Sequence, residues 1–368
     1  MRGTARAAVI TEFGAEMELR EVPLPEPEHD AIIVSTDVAT VCGSDVHIWT
    51  GQLAAATSLP VIGGHEAVGK IVEFGGGARV DSVGQKLSEG DRVIWTHEPC
   101  GHCPMCTVAH EPTLCTDKRV GMLRDCRQPP YIGGTFAEYS YVWPRAGRVR
   151  VPDGLSSELA AAASCAFRTV MQAFKRAGKI DFDDTLVIQG SGPLGLFATA
   201  LASTRGARRI VVIGDPQERL AIARAWGADE VISVAEHPTP EARLAAVREA
   251  TDGEMPNVVF EMSGAPGAFA EGVAMAAPQA RYVVVGTVGG DPQPVLAQLI
   301  TARNLSVLGS IGADTDSYHR ALEFMVANRD RFDWDRMIGE RYALGETTTA
   351  LRRMREQAEI KPVIDPAL

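Results

Sequence analysis

The sequence predicts an α/β chain of two domains: an antiparallel, partly barrel-shaped β domain and a parallel, doubly wound sheet. Three observations carry that expectation. Residues 1 to about 155 are rich in Gly, Pro and β-branched residues, and short apolar runs alternate there with turn signals. From about residue 185 onward, strand-like runs alternate with helical ones, which is the pattern of a parallel sheet. At 368 residues the chain is long enough for two cores of ordinary size.

In the first region the apolar runs Ile32–Val34, Ala67–Val72, Arg92–Trp95 and Ala137–Val142 read as strands, and Pro23–Pro27 and Gly75-Gly76-Gly77 read as turns. The strand-like Ile32–Val41 runs into Cys42-Gly43-Ser44-Asp45-Val46-His47. A thiol, a hydroxyl, a carboxylate and an imidazole fall within six residues. Alone, such a stretch is a turn closing a strand. Its chemical meaning depends on what lies further along. A thiolate can hold zinc, a neighbouring hydroxyl can accept a proton, and an imidazole can pass that proton on. Gly63-Gly64-His65-Glu66 follows, with His65 at the start of an apolar strand. Asp45 could accept the free ring N–H of His65 and so fix its tautomer.

The most specific signal is Cys100-Gly101-His102-Cys103-Pro104-Met105-Cys106 with Cys115 beyond it. Two interlocking Cys-x-x-Cys pairs and a fourth cysteine can close a tetrahedral four-thiolate site with no open position, a structural staple for a loop without its own apolar core. His97, His102 and His110 are alternative ligands, although four sulfurs complete the shell. Cys126 is expected to be a buried free thiol.

Near residue 155 the texture changes. Ser156–Ala177 is Ala-rich and reads as one helix carrying Cys165. With Cys42 and His65, Cys165 would complete a three-ligand zinc site with an open fourth position, the catalytic pattern. Leu186–Gln189, then Gly190-Ser191-Gly192-Pro193-Leu194-Gly195, then a helical Leu196–Arg205 form a dinucleotide fingerprint. The first glycine makes the turn, the second admits the pyrophosphate, and the third lets helix pack on strand. Strand Arg209–Ile213 ends at Gly214-Asp215, the right distance for the acid that reads the ribose. Glu230–Val234, Val258–Phe260, Tyr282–Val285 and Leu305–Leu308 continue the alternation. The ending Ile360–Ile364 is strand-like and is expected to rejoin the first domain.

Composition narrows the partners. A net charge of −11 speaks against a nucleic-acid footprint. No apolar run reaches membrane-spanning length, and the N-terminus has no signal-peptide pattern, so a cytoplasmic protein is expected. In a reducing compartment, the clustering of the seven cysteines points to metal ligation rather than disulfides.

At this point the chain resembles, almost end to end, the zinc-dependent medium-chain alcohol dehydrogenases. The resemblance rests on Cys42-Gly43-Ser44-Asp45-x-His47, Gly64-His65-Glu66, the four-cysteine loop, Cys165 and Gly190-Ser191-Gly192-Pro193-Leu194-Gly195. It implies a GroES-like catalytic domain over 1–160 with a structural zinc loop at 97–116. A Rossmann domain over 161–311 and a return to the catalytic domain over 312–368 complete the implied organisation. Cys42, His65 and Cys165 would hold a catalytic zinc onto which Glu66 could exchange. Cys100, Cys103, Cys106 and Cys115 would hold a structural zinc, making two Zn2+ per chain. Ser44 and His47 would relay the proton. Thr169, Gly190, Gly192, Pro193, Leu194, Gly195, Asp215, Arg219, Val285, Gly286 and Thr287 would lie along the cofactor. Three features depart from the family pattern. The Cys106–Cys115 gap is one residue longer than usual, which should alter the loop rather than the ligation. Gly214 stands where many NAD-using members have an aspartate. Arg168 stands where a small residue is expected, and is read as reaching a cofactor phosphate or an anionic substrate group, or as forming a surface salt bridge.

The implied reaction is reversible hydride transfer between an alcohol, secondary or polyol-like, and NAD, with NADP possible. A zinc polarises the hydroxyl, Ser44 takes the proton and His47 passes it on. Two other readings compete: a zinc-free quinone or enoyl reductase on the same scaffold, and a non-enzymatic zinc-stapled binding protein. Neither gives Cys42, His65 and Cys165 a purpose. Trp49, Leu53, Thr96 and residues 117–131 are candidate pocket walls by position, and Trp49 reads equally well as core. The expected partners are a small alcohol or carbonyl compound and a second copy of the chain, in a homodimer or homotetramer.

Overall fold

The computed structural model describes residues 3–286 and 294–368. The chain forms two compact units: Met1–Arg168 together with Gly312–Leu368, and Thr169–Ile311 between them.

The discontinuous unit begins with strands β1 (Thr4–Ile10), β2 (Glu18–Pro23), β3 (Ile32–Thr40), β4 (Val61–Ile62), β5 (Glu66–Phe74), β6 (Arg92–Trp95), β7 (Tyr139–Val142) and β8 (Arg148–Arg150). The inserted unit supplies β9 (Thr185–Gln189), β10 (Arg209–Gly214), β11 (Glu230–Ser233), β12 (Val258–Glu261), β13 (Arg281–Val284) and β14 (Ser306–Gly309). The returning chain adds β15 (Ile338–Tyr342) and β16 (Lys361–Ile364) to the first unit.

In the first unit β2-β1-β4 form one sheet, and β15-β16-β3-β5-β6-β8 form the spine of a second, with β7 also on β3. Neither closes into a barrel. Pairing is antiparallel throughout except between β15 and β16. The long strand β3 organises this unit. One edge pairs along its length with β5, and the other is shared by β7 at its start and β16 at its end. Its burial is almost continuous, as expected for a strand covered on both faces. Two registers matter for function. Thr40 sits opposite Glu66, so Cys42 and His65 leave the sheet at the same end. Val363 also sits opposite Thr40, which brings Lys361 to that end from the far terminus.

The inserted unit is a six-stranded parallel sheet in the order β11-β10-β9-β12-β13-β14. Its apolar strands Val187, Val211, Ile213 and Val259 pack with Val247, Val273 and Met275 from the covering helices. No helix among the described residues is long and apolar enough to cross a membrane.

The segment 156–177 is not one continuous α-helix. The α-helix Ser157–Ala162 passes into a π-helical turn, Ala163–Phe167, and then into the α-helix Arg168–Ala177. Ser156 caps the start by accepting the Leu159 N–H. A run of alanines is compatible with either helix type, so the composition carries no signal for the extra residue of a π turn.

Candidate metal centres and dinucleotide turn

Two clusters of metal-ligating side chains occur among the described residues. The ligand atoms of Cys100, Cys103, Cys106 and Cys115 all lie within 4.8 Å of one another, and so do those of Cys42, His65, Glu66 and Cys165.

The four-cysteine cluster is a local product of its loop. Cys103 precedes the short helix Pro104–Thr107, whose Pro at the first position starts the turn that carries Cys106. The 3-10 turn Pro112–Leu114 then delivers Cys115. Backbone N–H groups of Cys103 and Cys100 point at Cys100 Sγ (3.3 Å) and Cys115 Sγ (3.2 Å), donors that suit thiolates. Between Cys106 and Cys115, His110 adopts φ 55°. His102 turns its Nδ1 to the Cys100 carbonyl at 3.0 Å. The four sulfurs and their amide donors fit a closed structural zinc site.

The second cluster draws on three separate segments. Cys42 ends β3 and precedes the helix Gly43–Trp49, whose first turn folds Asp45 back to accept the Cys42 N–H at 2.9 Å. His65 precedes β5. Cys165 sits in the middle of the π turn, a feature that often marks functional positions because the extra residue re-aims its neighbours. His65 Nε2 lies 3.3 Å from Cys165 Sγ, while its Nδ1 faces Asp45 Oδ1 at 2.9 Å. The Asp45 carboxylate therefore fixes Nδ1 as the protonated nitrogen and leaves Nε2 to ligate. Burial opposes the charged form of His65, but Asp45 outweighs it and raises the imidazole's affinity for a positive charge. Cys165 is shifted down and Cys42 up, chiefly because the two thiols share one proton. An ion entering between them would displace that proton. Two sulfurs, one imidazole and a neighbouring carboxylate fit a zinc with an open position.

Glu66 is held from behind. Its carboxylate accepts from Thr40 Oγ1 at 2.6 Å and from Lys361 Nζ at 2.5 and 2.7 Å, with both partners of the ion pair fully buried. Burial pushes Glu66 up to about 7, against the opposing pull of Lys361. Sequence reasoning missed Lys361. Its only signal was a lysine inside the otherwise apolar Ile360–Ile364. His97 lies near the cluster, its ring 6.5 Å from that of His65, and burial holds it well below the usual imidazole range.

Ser44 and His47 lie three residues apart on the helix Gly43–Trp49, and both are half-buried. His47 Nδ1 bonds to Gln52 Oε1. Gln52 is a second residue the sequence did not flag. Arg168 differs from expectation. It is not in a surface salt bridge: it is buried, and its guanidinium faces Ser164, Cys165 and Tyr318. Trp49 belongs to the core, 2% exposed, with its indole N–H on the Ala15 carbonyl. Cys126 is a buried free thiol.

In the inserted unit the fingerprint glycines each do something different. Gly190 has φ 117°, which a side chain rarely adopts. A Cβ on Gly195 would lie 1.8 Å from the Gly190 carbonyl oxygen, so only glycine lets the helix Pro193–Ser203 pack this close. A Cβ on Gly192 would meet nothing within 4 Å. The protein itself does not require a glycine there, whereas a ligand approaching the backbone would. That helix starts at Pro193 with no side-chain cap, leaving its first N–H groups for an anion such as a pyrophosphate. Gly214 is hemmed in by Ser191, and Asp215 turns its carboxylate to Ser233 Oγ (2.8 Å) and the Ala235 N–H (2.7 Å). Leu194 lies in the first turn of that same helix, and Arg219 is buried on the helix Gln217–Ala225. Thr169 is buried, and Val285 and Gly286 donate to the Glu261 carbonyl. Thr287 lies outside the described residues.

Comparison with known proteins agrees with this geometry. Residues 28–153 match the alcohol dehydrogenase GroES-like domain, and residues 193–327 match the zinc-binding dehydrogenase family. The chain is 35% identical over 366 residues to 5-exo-hydroxycamphor dehydrogenase of Pseudomonas putida, covering 99% of each. Its fold superposes on an alcohol dehydrogenase from Thermotoga maritima with a TM-score of 0.89 at 29% identity, again over 99% of each chain. It also superposes on an NADP-bound chain from Sinorhizobium meliloti 1021 with a TM-score of 0.83 at 25% identity, covering 99% of this chain and 100% of that one. The chain thus belongs to the zinc-dependent medium-chain alcohol dehydrogenase/reductase family, enzymes that use zinc and NAD(P) to interconvert alcohols and carbonyl compounds.

Proposed function

We propose that this enzyme oxidises a cyclic secondary alcohol to its ketone, reversibly, with Cys42, His65 and Cys165 holding the catalytic zinc and the four-cysteine loop holding the structural one. The observation that carries this reading is the convergence of three soft ligands from distant segments on one point, braced by Asp45. The full-length similarity to a dehydrogenase of hydroxycamphor, a secondary alcohol on a rigid ring, favours that substrate class over straight-chain alcohols.

When bound, zinc supplies Lewis acidity to the alcohol oxygen, and the nicotinamide of NAD(P) supplies the hydride acceptor. The chain's residues manage the proton. Ser44 accepts it from the substrate hydroxyl. His47, whose Nδ1 is engaged by the Gln52 side-chain amide, then takes it on its other ring nitrogen. Glu66, held by Thr40 and Lys361, can reach the ion only by giving up part of that pairing, so its usual role is to set the local field.

The cofactor is NAD, with NADP also accepted. Asp215 supports NAD by its charge. The commitment of its carboxylate to Ser233 and Ala235 weakens its exclusion of an extra phosphate. The seven free cysteines suit the cytoplasm, and the exposed edge strand β14 suits assembly into a homodimer or homotetramer. The test is a panel of cyclic secondary, straight-chain primary and polyol substrates with each cofactor, followed by nicotinamide absorbance. Cyclic secondary alcohols should give the highest kcat/KM. A clear preference for primary alcohols or polyols would refute the proposed class.

A further inference from the structure

Arg168 is a charged side chain beside the metal cluster that the reaction above does not use. It follows Cys165 by three residues, at the end of the π turn, and its side chain reaches back to the Cys165 sulfur. Arg168 is 7% exposed, and among the described residues it forms no salt bridge with a carboxylate. A buried cation without a carboxylate must find its compensation elsewhere. Its contacts show where. Nε donates to the Ser164 carbonyl at 3.2 Å. The guanidinium carbon stands 5.3 Å from the ring centre of buried Tyr318. Gly312 closes the far side so tightly that a Cβ there would come within 3.2 Å of Nη1. Pinned on those three sides, the group presents Nη2 to Cys165 Sγ at 3.5 Å, within the range of a hydrogen bond to sulfur.

We propose that Arg168 is a positioning residue that acts on the metal through Cys165. This inference rests on the ligand set proposed above. Two thiolates and a neutral imidazole balance the charge of a divalent zinc, and Glu66 and Lys361 balance each other. With Asp45 behind His65 and Arg168 against Cys165, the negative charge lies on the imidazole side of the site and the positive charge on the thiolate side. A hydrogen bond from a cation draws electron density from the Cys165 sulfur, so that sulfur gives less to the ion. The ion is left a stronger Lewis acid toward the alcohol. The two thiolates become unequal, with Cys165 the weaker donor.

The test uses the full-length protein loaded with cadmium in place of zinc and observed by 113Cd NMR. The wild type should show two resonances, one from the four-thiolate loop and one from the mixed-ligand site. In Arg168→Gln the mixed-ligand resonance should shift while the four-thiolate resonance stays put. Arg168→Lys, which keeps the charge but not the planar fork, should shift it less. In the zinc enzyme, kcat for a neutral cyclic secondary alcohol should fall about tenfold in Arg168→Gln, with KM changed far less and partial recovery in Arg168→Lys. Should Arg168→Gln fail to load the second cadmium, Arg168→Lys carries the comparison. An unmoved mixed-ligand resonance in the variants overturns the proposal. So does a variant whose only defect is a raised KM for anionic alcohols, because Arg168 would then be binding substrate. A wild type showing the four-thiolate resonance alone would instead refute the ligand set, which keeps the two failures apart.

Discussion

The two metal clusters of this chain have opposite construction. Cys100, Cys103, Cys106 and Cys115 come from one loop of 16 residues, and little beyond that loop is needed to bring them together. Cys42, His65 and Cys165 come from two strand ends and a π turn spread over more than a hundred residues. The whole first unit is the device that gathers them. Their surroundings differ in the same sense. Backbone amides point at the sulfurs of the loop, as befits a site that must only stay closed. Charged side chains surround the other cluster: Asp45 behind His65, Lys361 behind Glu66, Arg168 against Cys165. A staple needs geometry, whereas a reactive centre also needs a tuned field.

The contrast is broken most forcefully by removing one thiolate from each cluster. Cys42→Ser should lower kcat/KM by about a thousandfold or more, because the Lewis acid contributes several kcal/mol to the transition state. Its thermal midpoint should barely move, and metal analysis should find one zinc left per chain. Cys103→Ser should do the reverse. Its midpoint should fall by on the order of 10 °C, as expected for a loss of about 3 kcal/mol in a domain this size. The fraction that stays folded should keep most of its turnover. Equal losses of activity and stability in both variants would mean that the division of labour is wrong.

A smaller effect sharpens the role of the field around the open cluster. Lys361→Met strands a fully buried carboxylate. It should cost about 3 kcal/mol in urea unfolding, the usual size for breaking a buried pair. Adding Glu66→Gln should restore most of that, since an amide is cheaper to bury than an unpaired charge. If the double variant is no more stable than Lys361→Met, the pair is not the interaction that matters there.

What could be read from the sequence follows the same division. The four-cysteine loop was legible because its ligands sit close enough for spacing alone to speak. The parallel sheet was legible because its strands are buried apolar runs with glycine turns between them. Cys42, His65 and Cys165 had no such local signature: their ligand chemistry suggested a set, and the family resemblance joined them. Lys361 was invisible because its partner lies 295 residues away and its own segment looks like an ordinary strand. The π turn was invisible because alanines fit either helix equally. Arg168 was expected at a surface or on an anion. Nothing local to Arg168 hints that Gly312 and Tyr318, from the returning chain, wrap it against a thiol.

Anomalous diffraction at the zinc absorption edge, from crystals of the native protein, tests the central claim most directly. Two peaks per chain are expected. One should sit among the four loop sulfurs, and the other at about 2.3 Å from the sulfurs of Cys42 and Cys165 and about 2.0 Å from His65 Nε2. A single peak confined to the loop, or a second peak away from those three atoms, would contradict the account.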